Sequence, residues 1–349
     1  MYFASDNSGP VHPQVMAALN EANLGYQMAY GADTLMNEVR DRIRGIFEAP
    51  GAAVYLVATG TAANSLALAT LSNPWDTVFC SPVAHIHEDE CNAPEFYSGG
   101  AKLTLIANED GKLPVAGLRA AIAAEESRGV HGPQRGPVSI TQASEKGTVY
   151  SLDEIGAVAE VCKGYGLPLH MDGARFANAC ARLGCSAAEM SWKLGVDAVS
   201  FGGTKNGCMG VEAVVFFDPK HAWEFELRRK RGAHLFSKHR YLAAQMTGYL
   251  ENGLWLELAA AANDTAARLT RALKQMPDVA FAFEPEANIL FAELPRAAHQ
   301  RLHDGGAQYY LWSGDLEGDD PEEPLMARMV CDWSLGADRV DEFVALALG

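Results

Sequence analysis

The stretch Ser200-Phe201-Gly202-Gly203-Thr204-Lys205-Asn206-Gly207 is the strongest indication of fold and function in this chain. It continues a short apolar run at 197–201 that is typical of a buried strand, and glycines lie on both sides of the lysine. Open α/β sheets bind their ligands where strands exit into loops, and glycine lets the backbone approach a ligand closely. Burial there favours the neutral amine, so Lys205 is a candidate nucleophile. Two other interpretations remain open: the Gly-Lys pair could hold a phosphate, or the stretch could be a tight turn with a solvated lysine.

A second apolar run, at 167–171, ends in Asp172 and is followed by Gly173-Ala174-Arg175. An acid and a lysine at the ends of neighbouring strands are what pyridoxal 5′-phosphate (PLP) requires. A carboxylate keeps the pyridine nitrogen protonated, and a lysine carries the cofactor as an imine. The alternative for Asp172 is an N-cap of a helix that begins in the following residues.

Composition limits the class of protein. The chain has 349 residues, 48% of them hydrophobic, which is enough for one large and one smaller domain. A formal net charge of −16 argues against nucleic acid or an anionic membrane surface as the partner. Seven cysteines without a CxxC pair indicate reduced thiols, and neither a signal peptide nor an apolar run of bilayer length is apparent. We therefore expect a cytoplasmic protein.

Strands and helices alternate along most of the chain, which predicts an α/β fold with a parallel sheet covered on both faces. Strands are predicted at 53–58, 77–80, 102–107, 137–142, 167–171, 197–201 and 211–217. Helices are predicted at 13–22, 35–47, 113–126 and 151–164, a surface loop at 127–136, and one long helical stretch at 241–274.

The C-terminal part has a different pattern of elements. Strands are predicted near 279–283, 289–293, 308–312 and 325–331, and helices near 295–303 and 337–348. These elements predict a small α+β domain, and the acidic run at 315–323 is expected to be a solvated loop. We place the boundary near residue 245, which gives domains of 1–245 and 246–349.

An anion site is predicted where the strand at 53–58 leads into Thr59-Gly60-Thr61-Ala62-Ala63-Asn64 and a long Ala/Leu helix. Unpaired N–H groups and the positive end of the helix dipole would face the ligand there. The alternative is that Thr59 or Thr61 merely caps the helix.

Histidines occur at positions 85 and 87, just after the strand at 77–80, with acids at 88, 89 and 90. Residues two apart on a helix face different directions, so no metal site is expected. His85 could stack on a flat cofactor or act as a base; the alternative is an ordinary surface histidine. Tyr30, beside Gly31 in a loop, is by default a packing residue.

Taken together, these blocks resemble the low-specificity L-threonine aldolases, which are fold type I PLP enzymes of the threonine aldolase and β-eliminating lyase group. The resemblance runs from Phe3-Ala4-Ser5-Asp6-Asn7 to Met329-Val330-Cys331-Asp332-Trp333. Its most specific blocks lie at 64–68, 89–96, 170–176 and 201–207. The resemblance implies a mostly parallel seven-stranded sheet with a small C-terminal domain. It also implies cleavage of L-threonine, L-allo-threonine and related β-hydroxy-α-amino acids such as phenylserine to glycine and an aldehyde.

The resemblance also implies roles for individual residues. Lys205 would bind PLP covalently with Thr204 beside it, Asp172 would pair with the pyridinium nitrogen, and Gly60 and Thr61 would hold the phosphate. His85 would stack on the ring and take the hydroxyl proton. The substrate carboxylate would be gripped by Arg175 and Arg328 with Ser5, near Asp89. Tyr30 and the 231–238 loop, including Lys238, would reach a neighbouring subunit's site in a homo-oligomer, usually a tetramer in this family.

The chain departs from the family pattern at two places. Glu145 stands where many members carry a histidine, which shifts the role of base towards His85 or water. The loop after Arg231 lacks the glycine-rich, arginine-bearing form of some relatives, so Lys238 or Arg231 would have to make the cross-subunit phosphate contact. A PLP-dependent β-eliminating lyase and a non-catalytic PLP-fold binding module are the alternative functions.

Overall fold

A computed structural model of the chain describes residues 1–125 and 127–349, and its larger sheet has seven strands. They are β1 (Ala53–Val57), β2 (Asp76–Cys80), β3 (Lys102–Leu105), β4 (Gln134–Thr141), β5 (Leu169–Gly173), β6 (Ala198–Gly202) and β7 (Glu212–Phe216). Their order is β1-β7-β6-β5-β4-β2-β3. Strand β7 pairs antiparallel with β1 and β6, whereas the other neighbours pair in parallel. The mostly parallel seven-stranded sheet is therefore confirmed.

Helices cover this sheet, and every residue of β1, β2, β5, β6 and β7 is buried, as expected for a sheet packed on both faces. The helices are α1 (Pro13–Ala22), α2 (Thr34–Ile46), α3 (Gly60–Leu71), α4 (His85–Glu88), α5 (Ala93–Ser98), α6 (Val115–Glu125), α7 (Leu152–Tyr165), α8 (Phe176–Leu183), α9 (Ala222–Arg231), α10 (Arg240–Leu250) and α11 (Leu254–Leu273). The α/β fold class is confirmed.

A second, antiparallel sheet lies in the C-terminal part, in the order β10-β11-β9-β8. Its strands are β8 (Ala280–Phe281), β9 (Ile289–Pro295), β10 (Tyr310–Ser313) and β11 (Pro324–Val330), and they are accompanied by α12 (Arg296–Asp304) and α13 (Ala337–Leu348). A separate apolar core, which includes Leu294, Leu302 and Phe343, lies between this sheet and its helices. The small α+β unit was predicted; the boundary near residue 245 falls inside α10 and stays a prediction.

Two sequence predictions about elements were wrong. The helical stretch at 241–274 is not continuous, because Asn252 and Gly253 take positive φ angles of 53° and 77° and separate α10 from α11. The predicted loop at 127–136 ends early, because Gln134 already belongs to β4 and pairs with Asp76 of β2. The predicted helix at 113–126 is α6; its last predicted residue, Glu126, lies outside the described residues.

Within the described part of the chain, the structure contains no helix with the length and apolar character that crossing a bilayer would require.

Candidate active site

The carboxyl ends of β5 and β6 lie side by side, because Asp172 is in register with Ser200 and Gly173 with Phe201. Asp172 is the second-last residue of β5. Lys205 lies in the single 3₁₀-helical turn Thr204–Asn206 that follows β6. Both side chains line one cavity of about 220 Å³. The same cavity is lined by Gly60, Thr61, Asn64, His85, Thr204 and Glu212. The two strand ends picked out in the sequence therefore meet in one cavity.

The turn that carries Lys205 is held firmly by its neighbours. Thr204 Oγ1 accepts a hydrogen bond from the Val211 N–H (3.1 Å). Asn206 Nδ2 donates to the Tyr249 hydroxyl and to the Trp255 carbonyl, both at 2.8 Å. The Lys205 amine itself has no hydrogen-bond or ion-pair partner among the described residues. A fixed backbone thus presents a free amine to the cavity.

The Asp172 carboxylate is buried and oriented by two hydrogen bonds. Its Oδ2 accepts from Asn64 Nδ2 (2.9 Å) and its Oδ1 from the Ala174 N–H (3.0 Å). The alternative role as an N-cap is wrong, because α8 begins at Phe176 and the residue in its cap position is Arg175. Asp172 is therefore available to a group bound in the cavity.

The N-terminus of α3 opens onto the cavity through Gly60 and Thr61. Thr59 caps this helix, since its Oγ1 accepts from the Ala62 N–H (3.1 Å). The N–H groups of Gly60 and Thr61 have no partner among the described residues, and a Cβ added at Gly60 would meet nothing within 4 Å. This end of the cavity has free donors and open space, which suits an anion.

His85 occupies the first turn of α4 and is linked to Asp172 through two other buried side chains. Its Nδ1 lies 2.8 Å from Glu90 Oε1, which also accepts from Asn64 Nδ2 (2.9 Å). The hydrogen bond to Glu90 raises the pKa of His85, against the opposing effect of its burial, and Asp172 adds to the rise. Burial raises the pKa of Glu90. The His85 Nε2 is left without a partner in the described part of the chain.

Sequence reasoning assigned no role to Asn64, Glu90 or Glu212. Asn64 and Glu90 belong to blocks that carried the family resemblance, but their connection to Asp172 depends on contacts 108 and 26 residues apart in sequence. Glu212 could have been noticed as an acid at the start of the apolar run 211–217. A charged residue in a strand buried on both faces is uncommon.

Arg175 is buried and already engaged. Its Nε and Nη2 donate to the two oxygens of the Asp6 carboxylate at 2.7 and 2.9 Å, and its Nη1 lies 3.9 Å from Glu145 Oε2. Burial alone would raise the pKa of Asp6, but Arg175 and Lys205 outweigh it and lower that pKa. The predicted grip of Arg175 on a substrate stays a prediction, with Nη1 as the atom directed away from Asp6.

Arg328 differs from Arg175, because its half-buried guanidinium has no hydrogen-bond or ion-pair partner among the described residues. Burial and the charge of Arg175 lower its pKa, while Glu145, Asp6 and Asp89 oppose that shift. Asp89 itself is exposed. An unpaired guanidinium with this surrounding is suited to receive a carboxylate.

Six predicted site residues are not among those that line the Lys205 cavity: Arg175, Arg328 and Asp89, and also Ser5, Tyr30 and Lys238. Tyr30 is half-exposed, with Lys230 Nζ 4.9 Å from its ring centroid. Lys238 is exposed and lines a shallow surface depression with Phe236. Ser5 Oγ accepts from the N–H of Asn7, which lines the cavity. The proposed roles of Tyr30 and Lys238 towards another subunit stay predictions.

Comparison with known proteins relates the chain to one family. The beta-eliminating lyase family model matches residues 2–296. A low specificity L-threonine aldolase from Pseudomonas sp. (strain NCIMB 10558) is 43% identical over 98% of this chain and 96% of its own. The protein of the same description from Pseudomonas aeruginosa is 44% identical over 97% and 95%. A solved structure of Leishmania major threonine aldolase superposes with a TM-score of 0.92 at 26% identity, covering 99% of this chain and 98% of its own.

Proposed function

This chain belongs to the beta-eliminating lyase family, and from that premise we propose that it cleaves L-threonine and L-allo-threonine to glycine and an aldehyde. It is a lyase by its membership of the family. The names of its two Pseudomonas relatives support L-threonine as a substrate. The low specificity in those names supports action on further β-hydroxy-α-amino acids, of which phenylserine is the aryl case.

The proposed cofactor is PLP, and the residues around the Lys205 cavity fit it. A free lysine amine, a buried carboxylate and a pair of unpartnered N–H groups line the same small space. These three features match the aldehyde, the ring nitrogen and the phosphate of PLP, respectively. When bound, PLP withdraws electrons from the bonds at the substrate Cα. The observation that carries the proposal is that Lys205 and the buried Asp172 line one cavity at the ends of neighbouring strands.

Each of these residues has a defined task. Lys205 would supply the amine that holds PLP covalently. Asp172, held in orientation by Asn64 and the Ala174 N–H, keeps a proton on the ring nitrogen. Gly60 and Thr61 donate to the phosphate at the N-terminus of α3, where the helix dipole also favours negative charge.

His85 is the proposed base. Its Nε2 takes the proton from the substrate β-hydroxyl, while Nδ1 stays hydrogen-bonded to Glu90 and fixes the ring. As the O–H bond breaks, the Cβ–O bond becomes a carbonyl and the Cα–Cβ bond breaks, which releases the aldehyde. A proton returned to Cα then completes glycine. A histidine suits this step because its charge changes near neutral pH.

Arg328 is the proposed main anchor of the substrate carboxylate, because no described residue makes a hydrogen bond or ion pair with its guanidinium. Arg175 would assist through Nη1, since its other nitrogens are bound to Asp6. Ser5 and Asp89 are the remaining proposed substrate contacts: Ser5 is bonded to Asn7, which lines the cavity, and the charge of Asp89 acts on Arg328.

We also propose a homotetramer, built as a dimer of dimers, in the cytoplasm. Large apolar side chains are exposed at Leu24, Tyr26 and Met28, close in sequence to Tyr30, and also at Phe236. Such a surface supports burial against a second subunit that would bring Tyr30 and Lys238 to the neighbouring site. The seven cysteines are free thiols, as is usual in a reducing compartment.

Product analysis tests the proposed reaction. PLP-loaded protein is given L-threonine, L-allo-threonine and L-phenylserine, and aldehyde, glycine, keto acid and ammonia are measured, with a Lys205→Ala control. We expect aldehyde and glycine in equal amounts from the wild type and none from the control. Keto acid and ammonia without aldehyde would indicate a β-eliminating lyase. No product from PLP-loaded protein would indicate a binding module.

A further inference from the structure

Glu212 is a buried carboxylate that the proposed reaction does not use. Its side chain lies at the start of β7, is 7% exposed and lines the same cavity as Lys205 and Asp172. It has no ion-pair partner within the described part of the chain. A buried carboxylate without a countercharge in direct contact is costly unless a nearby charge compensates it.

The position of Glu212 is fixed by the turn that carries Lys205. Glu212 Oε2 accepts a hydrogen bond from the Gly203 N–H at 2.8 Å. The approach is close, since a Cβ at Gly203 would lie 2.8 Å from the Val211 carbonyl oxygen. The bond from the Val211 N–H to Thr204 Oγ1 ties the same two segments together. The carboxylate is therefore held next to the residues that immediately precede Lys205.

The charges around Glu212 point to Lys205 as its counterpart. Burial raises the pKa of Glu212 to about 7, against hydrogen bonds from Thr204 and the Gly203 N–H, and the charge of Lys205 is the one charge among the described residues that also lowers it. Cys208 and Tyr249 also face it, but burial raises the pKa of both, so both are neutral near neutral pH. Asp172 and His85 line the same cavity. Asp6, the other acid that interacts with Lys205, is already bound to Arg175.

We propose that Glu212 is the electrostatic partner of Lys205, a positioning residue that stabilises positive charge on the lysine nitrogen inside the cavity. This inference rests on the proposed function for its consequence: a lysine nitrogen that keeps its proton in the attached state makes the carbon bound to it more electrophilic towards the incoming substrate amine. The interaction itself requires only this chain.

Glu212→Gln is the direct test, because glutamine keeps an oxygen that can accept from the Gly203 N–H and removes the charge. In protein without PLP, the pH dependence of Lys205 labelling by an amine-reactive anhydride is followed by mass spectrometry of the Lys205 peptide. In PLP-loaded protein, the pH dependence of the visible absorbance of the bound cofactor is followed. Loss of an attracting anion favours the neutral nitrogen, so both midpoints should move about one pH unit lower.

The matched control is Glu257→Gln, which removes an exposed glutamate of α11 and should leave both midpoints in place. If circular dichroism shows that Glu212→Gln is unfolded, Glu212→Met, which has a similar shape without charge, must give the same downward shift. Midpoints equal to those of the wild type would overturn the proposal. A labelling shift in protein that binds no PLP would uphold the Glu212–Lys205 interaction and refute the proposed cofactor, so the two failures are distinguishable.

Discussion

At the scale of single residues, the hydrogen bond between His85 and Glu90 sets the pH range in which the proposed base can act. Glu90 raises the pKa of His85, so the ring loses its proton only at a higher pH than an ordinary histidine. Glu90→Gln removes the charge that stabilises the imidazolium. We expect the acidic limb of the kcat/KM profile for L-threonine to move to lower pH, because the ring becomes neutral at lower pH.

The control for this shift is Glu88→Gln, which removes an exposed acid of the same short helix. Its profile should overlay that of the wild type. An acidic limb that stays in place in Glu90→Gln, with activity retained, would show that His85 is not the base whose ionisation limits the reaction.

Arg328 gives a second prediction about a single residue. Arg328→Ala removes a charge-assisted bond to the substrate carboxylate, worth about 2 kcal/mol, and should raise KM about 30-fold for every amino acid substrate. The KM of Arg328→Lys should lie between those of the wild type and Arg328→Ala, because an ammonium keeps the charge but lacks the planar fork of donors. Steady-state kinetics with L-threonine and L-phenylserine measure the effect.

Arg268→Ala serves as the control, since this exposed arginine of α11 pairs with Asp341 on the surface. Its KM should match that of the wild type. An unchanged KM in Arg328→Ala would mean that the carboxylate binds elsewhere.

At the scale of elements, the loop 144–149 joins the two sheets. The Gly147 carbonyl accepts from the N–H groups of Glu286 and Ala287 at 3.0 and 3.2 Å. Lys146 Nζ lies 5.0 to 5.6 Å from the ring centroids of Trp312, Phe291 and Phe283. Glu145, which immediately precedes this lysine, has its Oε2 3.9 Å from Arg175 Nη1. The loop therefore connects the small sheet to the candidate site.

Lys146→Met keeps the length of the side chain and loses its interaction with the three rings. We expect the free energy of unfolding, measured with urea, to fall by about 1 kcal/mol, because a partly buried cation–π contact is worth roughly that much. Lys146→Arg should retain most of the stability that this contact provides. Lys163→Met, at an exposed position of α7, is the control. Equal stability of the Lys146→Met and Lys163→Met variants would contradict the role of the three rings.

The elements were largely predictable from sequence because their signals are local. The apolar runs of β5 and β6 and the capping box of Ser151 and Glu154 at α7 can be recognised in short windows. The break between α10 and α11 was missed, since Asn and Gly at 252 and 253 are weak interruptions of a helical pattern and their φ angles depend on packing. Lys205 and Asp172 were recognisable as strand-end residues. Glu90 was not, because its link to Asp172 through Asn64 depends on contacts between distant segments.

At the scale of the whole molecule, an N-terminal arm, residues 3–6, links the small sheet to the candidate site beside the large sheet. The Phe3 N–H donates to the Gln308 carbonyl and the Val330 N–H to the Phe3 carbonyl, at 2.7 and 2.8 Å. Three residues later, Asp6 binds Arg175 and accepts from Asn288 Nδ2 (3.1 Å). The arm thus ends at the candidate site, and the Asp6–Arg175 pair is its buried anchor.

Asp6→Asn leaves the Arg175 charge buried without an anion and should lower the free energy of unfolding by about 3 kcal/mol. The pKa of Asp6 is lowered in the folded protein, so its contribution is present above the ordinary carboxyl range and is lost as pH falls through the lowered value. In urea unfolding at neutral and acidic pH, the difference in free energy of unfolding between the wild type and Asp6→Asn should become smaller at acidic pH. Asp338→Asn, at an exposed position, is the control. A loss of unfolding free energy in Asp6→Asn no larger than that in Asp338→Asn would contradict the role of the Asp6–Arg175 pair.

The most direct test of the central claim is to locate the covalent attachment of PLP. The loaded protein is reduced with borohydride, digested, and its peptides are compared by mass spectrometry with those of the unloaded protein. We predict that the phosphopyridoxyl group is on Lys205, and that the Asp172→Ala variant carries less of it at equal PLP concentration. Attachment at a different lysine, or no attachment in folded protein, would contradict the assignment of the Lys205 cavity as the active site.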